Sequence, residues 1–466
     1  MWGRKFALRG EFRKKHIVND VGAEGTSLRP AVDAAREIPV GGSVPCQRLP
    51  ATTDPSKEAV LERRRRLRAA GYEIEQISGS GTEIDPERLA GSVEGFIGFS
   101  RVPLGVAGPV RIAGSAASGE FFVPFATSEG TLVASFQHAF NAMNRSGGAS
   151  ALCSDEQVGR APCFEFASLA QAGVFAQWLQ SQLATLQEVT VGTSRYCRLL
   201  AATTAIVGNT VYVLFEFSTG DAAGQNMVTL STQAICTRLL RDMPTPPRSW
   251  LMESMMSGDK RATPMAFRSA RGRNVSAEIV LPAKQVERYW RTDASKMERA
   301  WRQAVNGAAQ TGAVGLQGNV ANALAAIFIA CGQDVACVAE ATTALTRVER
   351  TSANEVYASV TLPNLIVGTV GGGTYLPTAH ECLAMLGCAG AGHARKFAEI
   401  IAAVALAGEL AIVGAMASGQ FAAAHAAGGR KGLAAGDNAG NKASDTAAQQ
   451  PPLNGTATNG NGSHEP

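Results

Sequence analysis

Charged residues are missing from long stretches of this chain, and those stretches mark where elements should bury themselves. Phe121–Asn144 reads FFVPFATSEGTLVASFQHAFNAMN, with Glu129 its only formally charged residue. Its apolar spacing predicts a helix over 129–144. From Gln303 to Gln333 there is no charge until Asp334. Ile400–Met416 is apolar apart from Glu409 and is rich in Ala rather than Leu, which predicts a buried helix and not a membrane span. Alternation in TVYVLFEF (210–217) predicts a strand, and a turn then leads into a helix at 227–241. Helices are also expected over 56–70 and 294–310. Gly98–Ile112, punctuated by Gly and Pro, should be extended.

These elements divide the chain into a poorly ordered 1–55, a helical part and the start of the larger domain at 56–161, a small unit at 162–250, the rest of the larger domain at 251–432, and a disordered tail at 433–466. The tail is mostly Gly, Ala, Asn, Ser and Pro and lacks the apolar content to fold. Composition adds exclusions. A net charge of +4 on 466 residues leaves no nucleic-acid footprint. The nine Cys include no CxxC pair, which fits buried free thiols in a reducing compartment and no metal site. The first 16 residues are basic but interrupted, unlike a secretory signal; Glu11 and the lack of Ser weaken a transit-peptide reading. A soluble, cytoplasmic protein is expected.

Four residues stand out chemically. Glu129 lies in an apolar run, and burying a carboxylate is costly unless it is compensated. The plainer alternative puts it in the first helical turn behind a Ser128 cap. Asp334 closes the long uncharged run, where an Asp after a helix is often a cap or a dipole partner. Lys260, in SGDKRATP, taken alone reads as a solvated loop charge. His425, in MASGQFAAAHAAGG, taken alone reads as a core histidine. No strand-linked GxGxxG is present, so a Rossmann nucleotide domain is not supported.

The surroundings of these four resemble the catalytic portion of the hydroxymethylglutaryl-coenzyme A reductases, eukaryote-type class. The matching pieces are EGFIGF and VPLGVAGPV (94–110), VPFATSEGTLVAS (123–135), SGGASAL (146–152), STGDAAGQNM (218–227), DK (259–260), LPAK (281–284), IACGQD (329–334), GTVGGGT (368–374) and AGEL (407–410). Their joint occurrence in order is far more specific than any one of them. The resemblance implies an α+β fold, with a large, mainly helical substrate domain interrupted by a small ferredoxin-like NADP-binding domain. It implies NADPH-dependent reduction of the thioester to mevalonate, with coenzyme A released, in a homodimer or homotetramer that shares its active sites.

The resemblance also implies roles. Lys260 would stabilise the oxyanion, His425 protonate the departing thiolate, and Glu129 donate a proton to the alkoxide. Asp334 would keep Lys260 charged and bias a proton onto Glu129. Cofactor contacts would come from Ser194, Arg195, Asp221, Gly224, Gln225, Asn226, Gly371 and Gly372, with Arg195 favouring NADPH over NADH. Ser135, Arg160, Arg261, Arg302 and Asn322 would face the substrate, and Arg160 would clamp its terminal carboxylate. Departures from the family pattern include Arg261 and Arg302 for lysines, Glu253 and Met255 for serine and asparagine, and Asn319 for histidine. They motivate two alternatives, a reductase of another acyl-coenzyme A and a non-catalytic paralogue.

Overall fold

The computed structural model describes residues 57–78, 100–268 and 271–419. Helix α1 (Lys57–Ala69) comes first, within the expected 56–70. β1 (Leu104–Gly114) and β2 (Ser118–Ala126) then form an antiparallel hairpin, with Val110, Ile112, Val123 and Phe125 on its buried side. Helix α2 (Leu132–Arg145) starts three residues later than expected, and Ser128 does not cap it. The Thr127 hydroxyl instead accepts the Glu129 N–H at 2.9 Å, and Thr131 takes a left-handed φ of 69° at the cap position. A polar side chain closing on its own backbone competes with helix initiation, and that competition wins here.

β3 (Ala149–Arg160) joins two layers. Its start pairs with β1 in parallel. Residues 150–157 pair antiparallel with β8 (Gly272–Leu281), with a register shift between Cys153 and Asp155. Its last three residues, Val158–Arg160, turn to pair with the second layer. That layer is built from β4 (Cys163–Glu165), α3 (Leu169–Gln180), α4 (Leu183–Thr193), β5 (Arg198–Val207), β6 (Thr210–Ser218), α5 (Gln225–Asp242) and β7 (Ser249–Leu251). Its strands are all antiparallel in the order β7-β4-β6-β5. Arg160 therefore sits at the seam between the layers.

After β8 come α6 (Ala283–Trp290), α7 (Ala294–Gln310), α8 (Val320–Ala330), β9 (Leu345–Arg350), β10 (Val356–Leu365), α9 (Pro377–Met385) and α10 (Ala394–Ala417). β9 and β10 extend the first layer beyond β8. The structure mixes helix and sheet. Outside 163–251, six described strands (β1, β2, β3, β8, β9 and β10) run through what the sequence led us to expect as a mainly helical part. Several of them alternate buried apolar with more exposed polar positions, most plainly β8, β9 and β10, a period-two pattern typical of antiparallel sheets.

α10 is long and apolar enough to cross a membrane by length and composition, yet 72% of its most apolar window is buried inside the protein. Its small residues permit close approach: the ring of Phe136 reaches Gly408 and that of Trp290 reaches Gly414. Its two buried carboxylates tie down neighbouring loops. Glu399 accepts from the backbone of Ala116, Ala117 and Cys153, and Glu409 accepts from Gly318 and Asn319 at the start of α8. These bonds supply the hydrogen-bond partners that buried carboxylates require.

Candidate functional site

Three glycine-containing loops interlock where the two layers meet. In the first, 219–224, the Asp221 carbonyl accepts from Thr369 N at 2.8 Å and Ala222 bridges Val370. In the second, Gln333 Oε1 accepts from Gly368 N at 2.8 Å. A Cβ on Gly368 would fall 2.5 Å from Ala223 N, and one on Gly332 would fall 2.4 Å from Gly373 O. Glycine is required at both places for the loops to touch.

Lys260, Asp334 and Gln225 meet at this junction. Lys260 Nζ lies 2.9 Å from Asp334 Oδ2, and Gln225 Nε2 donates to the same oxygen at 3.0 Å. Lys260 holds a left-handed φ of 54°. Asp334 also caps the following turn by accepting from Ala336 N. The hydrogen bond to Asp334 raises the Lys260 pKa and keeps the ammonium charged. Burial pushes the Asp334 carboxyl up, but the bonds from Lys260 and Gln225 outweigh it and hold the group below its ordinary value. Gln225, expected beside the cofactor, thus has its amide in the lysine–carboxylate cluster, where it also donates to Cys337 Sγ at 3.2 Å.

A buried charge network lies behind Lys260. Glu340, with no exposed surface, contacts Arg271 Nε at 2.6 Å, and Arg271 pairs with Asp259. The other oxygen of Asp259 lies 3.1 Å from Arg160 Nη1, which also meets Glu253 at 3.4 Å. Asp259 directly precedes Lys260, so Arg271 fixes the backbone that carries the ammonium. Burial raises the Glu340 carboxyl to about 7 despite Arg271. Arg271 and Glu340 were not singled out from the sequence.

Glu129 forms a second centre. Its carboxylate accepts both hydrogen bonds of the Asn322 amide, at 3.1 and 3.2 Å. Contrary to the burial inferred from its apolar run, Glu129 is exposed, on the β2–α2 loop. A run without charge need not be buried where it contains a TSEGT turn. Among the described residues, no hydrogen bond or ion pair joins Glu129 to Lys260. His425 lies outside the described residues, as do 1–55, 433–466 and the EGFIGF piece.

The remaining candidates are scattered. The Asp221 carboxylate accepts from Gly392 N and Ala394 N, capping α10. Gly224 begins α5 at φ 77°, where a Cβ would strike Thr219 at 2.3 Å. Gly224→Ala should therefore cost about 1–3 kcal/mol, read as a lowered urea midpoint, whereas Gly371→Ala should cost less because the space beside it is open. Asn226 is exposed on the first turn of α5. Ser194 ends α4, and the Arg195 guanidinium rests 4.8 Å over the Tyr196 ring. Ser135 Oγ donates to Leu132 O, while Arg261 and Arg302 are exposed and Arg302 makes no hydrogen bond or ion pair to either centre among the described residues.

A mixed helix-and-sheet fold with an open glycine-rich edge beside a paired lysine and carboxylate has the parts of a nucleotide-dependent oxidoreductase. Comparison with known proteins makes the class specific. Residues 59–430 match the family model for hydroxymethylglutaryl-coenzyme A reductase. The 3-hydroxy-3-methylglutaryl-coenzyme A reductase of Aeropyrum pernix is 39% identical over 400 residues, which is 84% of this chain and 94% of that protein. The Pyrococcus horikoshii reductase is 39% identical over 350 residues, 73% of this chain and 84% of that one. The fold is similar to that of a class II reductase from Streptococcus pneumoniae bound to NADPH, with a TM-score of 0.65 at 19% identity, covering 79% of this chain and all of that one. The chain belongs to the hydroxymethylglutaryl-coenzyme A reductase family.

Proposed function

We infer that the chain reduces 3-hydroxy-3-methylglutaryl-coenzyme A to mevalonate, with release of coenzyme A. The observation that carries this reading is the Lys260–Asp334–Gln225 cluster at the glycine-rich junction, in a chain of this family. NADPH, when bound, supplies the hydrides. The residues present fit it. Gly371 and Gly372 are exposed with left-handed φ, and nothing lies within 4 Å of where their Cβ atoms would be, so backbone can approach a ligand closely. The N-terminus of α5 adds N–H groups suited to a phosphate. The exposed Arg195 guanidinium suits a 2′-phosphate and favours NADPH over NADH. Thr193 Oγ1 meets Ser231 Oγ at 2.7 Å, which ties this connection to α5 about 9 Å along the helix from its start.

The 163–251 layer, with its β7-β4-β6-β5 order, supports a ferredoxin-like nucleotide unit set into a larger substrate domain. Lys260 stabilises the oxyanion formed when the thioester carbonyl is reduced, and Asp334 holds it charged and in place. Glu129 donates the proton that the final alkoxide requires, and Asn322 orients its carboxyl. His425 protonates the departing thiolate. Arg160 faces the free carboxylate of the acyl group, and Ser135, Arg261 and Arg302 line the approach. Both Glu129 and Lys260 are open to solvent in the single chain, which supports a homodimer or homotetramer whose second copy completes the site.

The test is a spectrophotometric assay with 3-hydroxy-3-methylglutaryl-coenzyme A. Two NADPH should be oxidised per thioester, with NADH a poorer donor. Oxidation seen only with other acyl-coenzyme A esters would reassign the substrate, and none with any thioester would reject the reading. Glu129→Gln should lower kcat by about 10²-fold or more with unchanged thermal stability, because its carboxylate is exposed; activity within a few-fold of wild type would remove Glu129 from the mechanism.

A further inference from the structure

The two carboxylates that meet Arg160 are not equivalent. Asp259 is fixed from behind by Arg271, which is 4% exposed and is itself held by the fully buried Glu340. Glu253 is about as exposed as Asp259, 27% against 24%, but it lies at the longer distance, 3.4 Å against 3.1 Å, and meets no second arginine among the described residues. Its oxygens accept from Ala161 N at 3.2 Å and Met255 N at 2.8 Å, and Met255 carries a left-handed φ of 69°. Arg160 itself is nine-tenths buried, with one Nη bonded to the Gln225 carbonyl. Its Nε–H has no acceptor among the described residues. A buried guanidinium with an unfilled donor is thus flanked by one carboxylate braced by a second arginine and one whose only cationic partner among the described residues is Arg160. The loop does not depend on Glu253 alone, because Ser254 N and Oγ both donate to Ala161 O at 2.7 Å.

We propose that Glu253 is an internal stand-in for the substrate's free carboxylate, occupying Arg160 until an acyl group bearing its own carboxylate displaces it. This rests on the reading that Arg160 faces that end of the acyl group. Glu253 then sets specificity. A dicarboxylic acyl group competes with it for Arg160, whereas an acyl group without a carboxylate leaves the Glu253–Arg160 pair in place.

The experiment compares the full-length wild type with Glu253→Gln and Glu253→Ser on two thioesters, 3-hydroxy-3-methylglutaryl-coenzyme A and 3-hydroxy-3-methylbutyryl-coenzyme A, which lacks the carboxylate. Loss of a competing charged hydrogen bond should lower KM for the first by about tenfold, leaving kcat and KM for the second unchanged. The coenzyme A phosphates are common to both, so equal shifts would reveal only a change in net charge and overturn the proposal. A fall in kcat with KM unchanged would make Glu253 a staple for the Lys260 loop and also overturn it. Calorimetric titration with glutarate reads the same competition without turnover. Glu253→Gln should bind it about tenfold more tightly than wild type, and the gain should vanish in combination with Arg160→Met. Equal affinities, or no binding to either protein, overturn the inference. A wild type that binds glutarate but does not reduce the thioester rejects the proposed function instead.

Discussion

Lys260→Ala is expected to lower kcat by about 10²–10³-fold, the range for removing a preorganised oxyanion donor, without unfolding the protein. The Lys260–Asp334 pair is 43% and 37% exposed, and exposed pairs contribute about 0–1 kcal/mol to stability. The rate loss therefore far exceeds any loss of fold, and circular dichroism with a thermal melt will separate the two. Asp334→Asn should fall between the variant and wild type, since it removes the interaction that raises the Lys260 pKa but leaves an ammonium at neutral pH. Lys260→Arg should not restore full activity, because a planar guanidinium cannot reproduce a point charge held 2.9 Å from one oxygen. A Lys260→Ala enzyme within tenfold of wild type would remove Lys260 from the chemistry.

The local elements were largely legible in the sequence. The expected helix at 294–310 coincides with α7, the strand at 210–217 with β6, and the buried helix at 400–416 lies within α10. These depend on short-range periodicity, which a single sequence displays. Glu129 shows where that stops. Its lack of charged neighbours implied burial, but Thr127 and Thr131 turn the chain before the helix and leave the carboxylate outside. The pairing of Lys260 with Asp334 was expected only through the family resemblance, since nothing local to either residue points to the other. Gln225 and Arg271 were harder still. The Gln225 amide reaches Asp334 because Gly224 turns the chain at the start of α5. Arg271 reads as one basic residue among several in FRSARGR, and its burial follows from β8 entering the sheet beside β3 and β10. Such residues acquire meaning from partners that only the folded chain supplies.

Arg271→Leu should carry the largest stability cost of these substitutions, about 3–5 kcal/mol. Arg271 is 4% exposed and balances two carboxylates, Asp259 and Glu340, the second with no exposed surface. Leucine fills much of the volume but leaves Glu340 facing an apolar side chain. Arg271→Lys should recover only part of the loss, because the guanidinium uses separate nitrogens for its two partners. The pH dependence distinguishes this from simple cavity formation. Burial raises Glu340 to about 7, above its ordinary value of 4.5. Below pH 4.5 the group is protonated in both folded and unfolded chains and costs nothing. As pH rises towards 7 the unfolded chain ionises more readily, so stability from this group falls, by up to roughly 3 kcal/mol, and levels off above 7. Glu340→Gln removes that loss. The difference between Glu340→Gln and wild type in urea unfolding should therefore shift towards the variant between pH 4.5 and 7 and stay constant above. In Arg271→Leu the guanidinium that lowers Glu340 is gone, so the carboxyl rises further and the fall extends to higher pH. A pH-independent difference for both variants would show that Glu340 stays ionised throughout, with the pair behaving as a fixed salt bridge. Activity should decline with stability in Arg271→Leu, because Asp259 loses the contact that holds the left-handed backbone at Lys260.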